Sequence, residues 1–119
     1  MIAFQAQEHS QALIWIVDSF FMSQCRQIAE LALTDQLPST TGYVPYSDEG
    51  GLMAYGPSPA TLWERLAKQL DRVFRGARPG DLPVEQPTNL DLVINRKTAR
   101  ALGMTIPPDL LVLAEKVIG

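Results

Sequence analysis

Cysteine and histidine are nearly absent: the 119 residues hold one of each, Cys25 and His9. A lone cysteine closes no internal disulfide, and with one histidine it gives no zinc cluster. Lysine and arginine number ten against thirteen acidic residues, for a net charge of −3. That leaves no basic face for nucleic acid and no polybasic patch for an anionic membrane. The apolar run Ala12 to Val17 is far too short to span a bilayer, which takes about 20 residues. The first eleven residues carry Glu8 and His9 and no basic start, so they do not read as a signal peptide. On that reading the chain stays where it is made.

Signs of catalysis are equally scarce. Asp48 and Glu49 are adjacent in a loop, with no partner that suggests general acid–base work. Glu85-Gln86 lies in a proline-rich connection, and His9 stands among polar residues and reads as exposed. The glycines lack the G-x-G-x-x-G spacing of a dinucleotide site. No nucleophile has a base beside it, so neither a catalytic residue nor a cofactor is expected.

What the chain does have is apolar substance: 46% of its residues are hydrophobic, enough for the core of one small domain. The organising stretch is Gly50 to Gly56, Gly-Gly-Leu-Met-Ala-Tyr-Gly. Leu52 to Tyr55 reads as a short buried strand between glycine hinges. Gly56-Pro57 stops it, and Ser58-Pro59 opens an amphipathic helix over 58–75. A strand, an abrupt turn and a helix N-terminus form the kind of corner where α/β proteins place ligands.

The remaining elements follow in order. Residues 2–9 read as the tail of a helix. Ala12 to Val17, apolar and β-branched, predicts a strand covered on both faces. Asp18 or Ser19 caps a helix over 20–35 that turns Phe21, Cys25, Ile28 and Ala32 inward. Ser39 to Tyr43 is a weaker strand, and Val44 to Glu49 an irregular polar loop. In helix 58–75, capped by Ser58 and closed by Gly76, Leu62, Leu66, Leu70 and Val73 form a stripe that Trp63 and Phe74 widen. An extended connection over 76–88 leads to a strand at Leu90 to Ile94. Asn95 caps a short helix, Arg96 to Leu102, and a last helix runs from Asp109 to Ile118. The order β-α-β-β-α-β-α-α predicts a three-layer α/β sandwich with a mostly parallel sheet.

Several segments then resemble one family. They are Gly50 to Pro57, the connection Leu82-Pro83-Val84-Glu85-Gln86-Pro87-Thr88, and Leu92 to Gly103 with Thr105-Ile106-Pro107-Pro108. They are similar to the carboxyl-terminal portion of ABC transporter substrate-binding proteins with a type I periplasmic binding fold. The resemblance implies a single partial domain, roughly the last third of a two-lobed protein. It implies inter-lobe crossings near Gly56-Pro57 and Pro87-Thr88, which would assign helix 58–75 to the other lobe. Each large apolar side chain of that helix loses about 1.5–3 kcal/mol if left in water. Self-association into a homo-oligomer, with elements exchanged between chains, is therefore expected.

The resemblance further implies a non-catalytic role: binding a small, amino-acid-like solute for delivery to an ABC permease. It also implies a periplasmic or membrane-associated location, at odds with the missing export signal. The positions that match the family's cleft are Asp18, Ser19, Phe20, Tyr43, Tyr55 and Gly56. Ser19 and the free amides behind it would hold a carboxylate, Asp18 an ammonium group, and Phe20 or Tyr55 would stack on a flat ligand. Each has a plainer reading: Asp18 and Ser19 as helix caps, Tyr55 as a core aromatic, Gly56 as a backbone necessity. Two rival functions stay open, a stand-alone homodimeric interaction or sensory module and a small α/β enzyme.

Overall fold

The computed structural model describes residues 9–119, so all but the end of the expected helical tail at 2–9 lies outside the described residues. Five strands form one sheet: β1 (Leu13–Trp15), β2 (Ser39–Thr41), β3 (Met53–Gly56), β4 (Asp91–Asn95) and β5 (Lys116–Ile118). They stand in sequence order, and every pairing is parallel except that of β3 with β4. Among the described residues five α-helices accompany them: α1 (Ser19–Ser23), α2 (Cys25–Thr34), α3 (Pro59–Phe74), α4 (Arg96–Ala101) and α5 (Pro108–Leu113). The class is the expected one, α/β with a mostly parallel sheet.

Residues side by side in a sheet share a face. Trp15 lies beside Thr41, Thr41 beside Ala54, and Ala54 opposite Val93, and all four are buried. Under this face Leu13 packs with Ala32, Leu37 and Ile28, while Trp15 packs with Ala29 and Tyr46. The inward set read for the second helix, Phe21, Cys25, Ile28 and Ala32, lies against these clusters. Trp15 meets the Tyr46 ring edge-on, with centroids 5.2 Å apart, a favourable quadrupolar arrangement.

Three helices end alike. After α3, the Gly76 N–H donates to the Val73 carbonyl and Ala77 N–H to that of Arg72, with Gly76 at φ 102°. Gly103 closes α4 in the same way, and Gln36 closes α2 at φ 54°. The paired bonds satisfy carbonyls that a helix end leaves free.

Several expectations are corrected. The strand over 12–17 shortens to Leu13–Trp15, and it is not covered on both faces: Ile14 is 77% and Ile16 80% exposed. β1 is an edge strand of the sheet, and among the described residues only the face under α2 is packed. The single helix over 20–35 is two, broken at Gln24. The polar loop at 44–49 contains a 3-10 turn, Val44–Ser47, that drives Tyr46 and Ser47 completely inside. Gly51 permits this, since a Cβ there would collide with the Tyr46 ring. The final helix stops at Leu113; Ala114 turns extended and Lys116–Ile118 joins the sheet beside Val93, Ile94 and Asn95. Ser58 occupies the cap position of α3 without a side-chain capping bond.

Helix α3 is the longest of the helices described, at 16 residues, and none of its residues is buried. Trp63 is 67% and Phe74 86% exposed, and Leu62, Leu66 and Leu70 are nearly half exposed. The connection after it runs back along the helix, so that Pro79, Leu82 and Val84 face Leu66, Leu70 and Val73 across a groove. Helix and returning chain form an arm beside the sheet. The radius of gyration is 17.4 Å, against about 13.5 Å for a compact chain of this length.

Candidate functional site

Because β1, β2 and β3 run parallel, their carboxyl ends reach one edge of the sheet, the edge where α/β proteins bind ligands. Asp18 to Phe20 follow β1, Gly42 and Tyr43 follow β2, and Tyr55 and Gly56 end β3. The three ends close on one another at the glycines. A Cβ on Gly56 would collide with the Gly42 carbonyl, and one on Gly42 would press on the Val17 side chain. Larger residues at these two positions would force the strand ends apart.

Arm α3 crosses in front of this edge. Between them lies a groove of about 470 Å³ lined by Val17, Met22, Tyr43, Pro57, Trp63 and Leu66 among others. Its walls are apolar and aromatic, suited to the flat or aliphatic part of a small molecule.

The six residues expected at the site divide. Tyr43 lines the groove, and the buried Gly56 sets the strand end beside it. Asp18 is exposed and caps α1, its Oδ1 accepting from the Phe20 N–H at 2.8 Å. Ser19 is exposed as the first residue of that helix. Phe20, 68% exposed, lines a second groove of about 260 Å³ with Trp15, Phe21, Ile28 and Leu31. Tyr55 is 56% exposed and alternates with buried Ala54, so it stands on the sheet face away from α2 rather than in the core.

Of the residues that line the groove only Tyr43 was expected at the site; Val17, Gly42, Met22 and Trp63 are among those the sequence reading did not place there. Gly42 carried one signal, a glycine near the end of an expected strand. Trp63 carried none, because its place depends on how the arm crosses the sheet edge. Just beneath the strand ends, Trp15 Nε1 and Thr41 Oγ1 are buried with no hydrogen-bond partner among the described residues. Buried polar atoms are ordinarily paired, so these two carry unspent hydrogen-bonding capacity next to the site.

Among the described residues two ionisable groups are perturbed, and both belong to the core, not the groove. Burial pushes the Tyr46 hydroxyl above its ordinary range, with a 2.7 Å hydrogen bond to Ser39 Oγ opposing the shift. Burial also raises the Cys25 thiol, and the Glu49 carboxylate adds to it. Among the described residues no group of three or more His, Cys, Asp or Glu could hold a metal ion. No helix among them is long and apolar enough to cross a membrane.

Comparison with known proteins places this geometry. The family model for ABC transporter substrate binding protein matches residues 1–118. A crystal structure of a conserved domain protein from Vibrio cholerae is 25% identical, with a TM-score of 0.90. The ABC domain from Streptococcus pneumoniae, solved in complex with L-Trp, is 26% identical, also at 0.90. An open, ligand-free substrate binding protein with adhesive properties from Clostridium difficile, 19% identical, shares the fold at 0.66. In each, 98% of this chain is covered but only 39% of the other, so the chain spans well under half the length of these relatives. No curated protein matches it.

Proposed function

We infer a role in solute capture from the premise that this chain belongs to the ABC transporter substrate binding protein family. It supplies one wall of a binding cleft and takes no part in bond making or breaking. The observation that carries this is the convergence of three parallel strand ends on one apolar groove. Tyr43 and Gly56 are the expected positions that best suit a solute there, with Asp18, Ser19, Phe20 and Tyr55 around the same edge. Trp63 and Met22 join them from the arm and from α1.

The solute is small and amino-acid-like. The pneumococcal relative holds L-Trp, and the flat walls of Tyr43 and Trp63 would receive a side chain of that kind. Its destination is an ABC permease, which puts the working protein at the outer face of a cytoplasmic membrane. Helix α3 belongs to the opposite lobe of the trap. Its stripe of Leu62, Leu66, Leu70 and Val73 is the seat for the part of that lobe which the relatives possess and these residues do not match. As an isolated chain it covers the stripe by pairing with a second copy.

Thermal unfolding with L-tryptophan and a panel of other amino acids tests the capture reading. Ligand held by the folded state alone stabilises it by about 2.7 kcal/mol at a hundredfold excess over Kd, a rise of several degrees in Tm for a chain of this size. No rise with any amino acid, from the chain joined to the complementary lobe, would remove it. Sedimentation at micromolar concentration tests the pairing, which a monomer would contradict.

A further inference from the structure

Helix α3 carries its apolar residues on two flanks. The inner one, Leu62, Leu66 and Val73, faces the groove at the strand ends and the returning chain. The outer one is Trp63, Ala67, Leu70 and Phe74. It is the barer of the two: Trp63 and Phe74 are the most exposed large apolar residues of the helix. Leu70 is nearly half exposed, and Ala67 lies open to solvent between them. Trp63 and Leu70 reach the edges of the two grooves, and Phe74 lies beyond both.

The outer flank reads the same in both directions. Its residues are spaced by four, three and four, the alternation that makes the seam of a coiled coil. Turned end for end on itself, the stripe sets Trp63 against Phe74 and Ala67 against Leu70, each contact occurring twice. Aromatic meets aromatic at both ends, and at the centre a small residue receives a larger one. Such a surface is its own complement about a twofold axis. The polar row beside it, Glu64, Lys68, Asp71 and Arg75, follows the same order. Reversed against itself, it brings Glu64 near Arg75 and Asp71 near Lys68 of the other copy. Within one copy Arg75 Nε donates to Asp71 at 2.8 Å, and among the described residues no ion pair holds Glu64 or Lys68. A parallel pair would instead set Asp71 beside Leu66. Charges at such a rim fix orientation more than they add affinity.

We propose that the outer flank of α3 is a self-recognition surface, on which a second copy of this chain docks its own α3 antiparallel, Trp63 against Phe74 and Ala67 against Leu70. The seam removes on the order of 1,000 Å² from water, the lower limit for a specific pair. Micromolar concentration is therefore the range in which it forms. That copies pair at all rests on the function proposed above; which flank they use, and in which direction, goes beyond it. Because Trp63 also lines the groove at the strand ends, the pairing brings Phe74 of the second copy to that groove's rim.

Sedimentation equilibrium of the whole chain, unaltered and in single variants, tests the surface. The unaltered chain should pair at micromolar concentration. Phe74→Ser and Ala67→Gln, both at exposed positions, should each weaken pairing by at least about 30-fold, the usual effect at a hot spot. Their unfolding temperatures should stay within a few degrees of the parent's when all are measured as monomers, which separates lost recognition from lost structure. Leu62→Ser, on the inner flank, should pair as the parent does. Direction is read by cross-linking in a Cys25→Ala background. Glu64→Cys mixed with Asp71→Cys and treated with a short bis-maleimide should give mainly the mixed product. The proposal is overturned if Phe74→Ser and Ala67→Gln pair like the parent, or if the mixed product does not exceed its statistical share. Should Leu62→Ser abolish pairing while Phe74→Ser leaves it intact, the copies meet through the inner flank: the pairing proposed above stands and this seam falls. A monomeric parent overturns both. The amino-acid unfolding series fails or succeeds independently of these outcomes.

Discussion

The sheet and the arm come from one short chain and obey opposite rules. In the sheet and the turn packed on it, Ala54, Ile94 and Tyr46 are fully buried, and Ser47 and Asn95 follow them inside with their side chains paired. Ser47 Oγ donates to the Val93 carbonyl at 3.3 Å, and Asn95 Nδ2 donates to the Ser47 carbonyl at 2.9 Å. In the arm a helix of 16 residues, amphipathic and closed by a glycine cap, buries none of them. Local sequence therefore suffices to specify a helix but not a bed for it. The bed is a property of the whole fold, and here the described residues do not provide one.

The sharpest way to break this contrast is to remove a residue from each region. Tyr46→Ala should cost about 3–5 kcal/mol in urea unfolding, the usual loss for a large buried aromatic. A cost below 1 kcal/mol would mean that the 3-10 turn is not part of the core. Asn95→Ala comes next, at about 2 kcal/mol: it removes the cap accepted from the Thr98 N–H at 3.1 Å and strands the Ser47 carbonyl.

Smaller still at neutral pH is the contribution from ionisation of Tyr46. Burial holds its folded pKa above the ordinary value of 10.0. The folded state thus keeps a proton that the unfolded chain releases, so this stability is fully present below about pH 10 and is lost as pH rises through the folded value. Unfolding titrations of Tyr46→Phe should show a shallower alkaline decline than the parent. Identical slopes would place the decline elsewhere.

These same residues show what the linear sequence can and cannot convey. Asn95 before a short helix and Gly76 after a long one were legible, because capping is a local rule; the apolar run around Leu13 and Trp15 was legible as a strand, but not as one with an open face. Tyr46 was not: Val-Pro-Tyr-Ser-Asp-Glu reads as polar loop, and its burial depends on space left by Gly51 and on Ser39 seven residues earlier. Gln36 performs a task usually given to glycine and carries no mark of it, though its side chain donates to the Leu33 carbonyl at 3.0 Å. Lys116 to Ile118 was mistaken for helix because an apolar segment that short fits either period; the vacant edge of β4 decides it. The strand-end rule pointed to Tyr43 and Gly56, which lie together at one sheet edge because β1 to β3 are parallel. It could not point to Trp63, whose approach is set by how the arm crosses that edge.

The smallest expected effect on stability tests the contrast from the other side. Leu66 and Leu70 are both nearly half exposed on α3. Inside the sheet, shortening two leucines would cost several kcal/mol; on the arm, Leu66→Ser with Leu70→Ser should change the unfolding free energy of an isolated monomer by no more than about 1 kcal/mol. Part of even that is helix propensity, since serine is a poorer helix former than leucine by a few tenths of a kcal/mol per residue. Association should respond much more strongly. If the stripe is the seat for a second copy or for a complementary lobe, two polar hydroxyls in its centre lose apolar burial and gain desolvation cost. The double variant should then sediment as a monomer at concentrations where the parent pairs, and it should fail to take up an added lobe. An equally large loss in both measurements would show that the helix is already bedded within this chain, and the distinction between sheet and arm would collapse. A loss in neither would leave the arm distinct but its stripe without the seating role assigned to it.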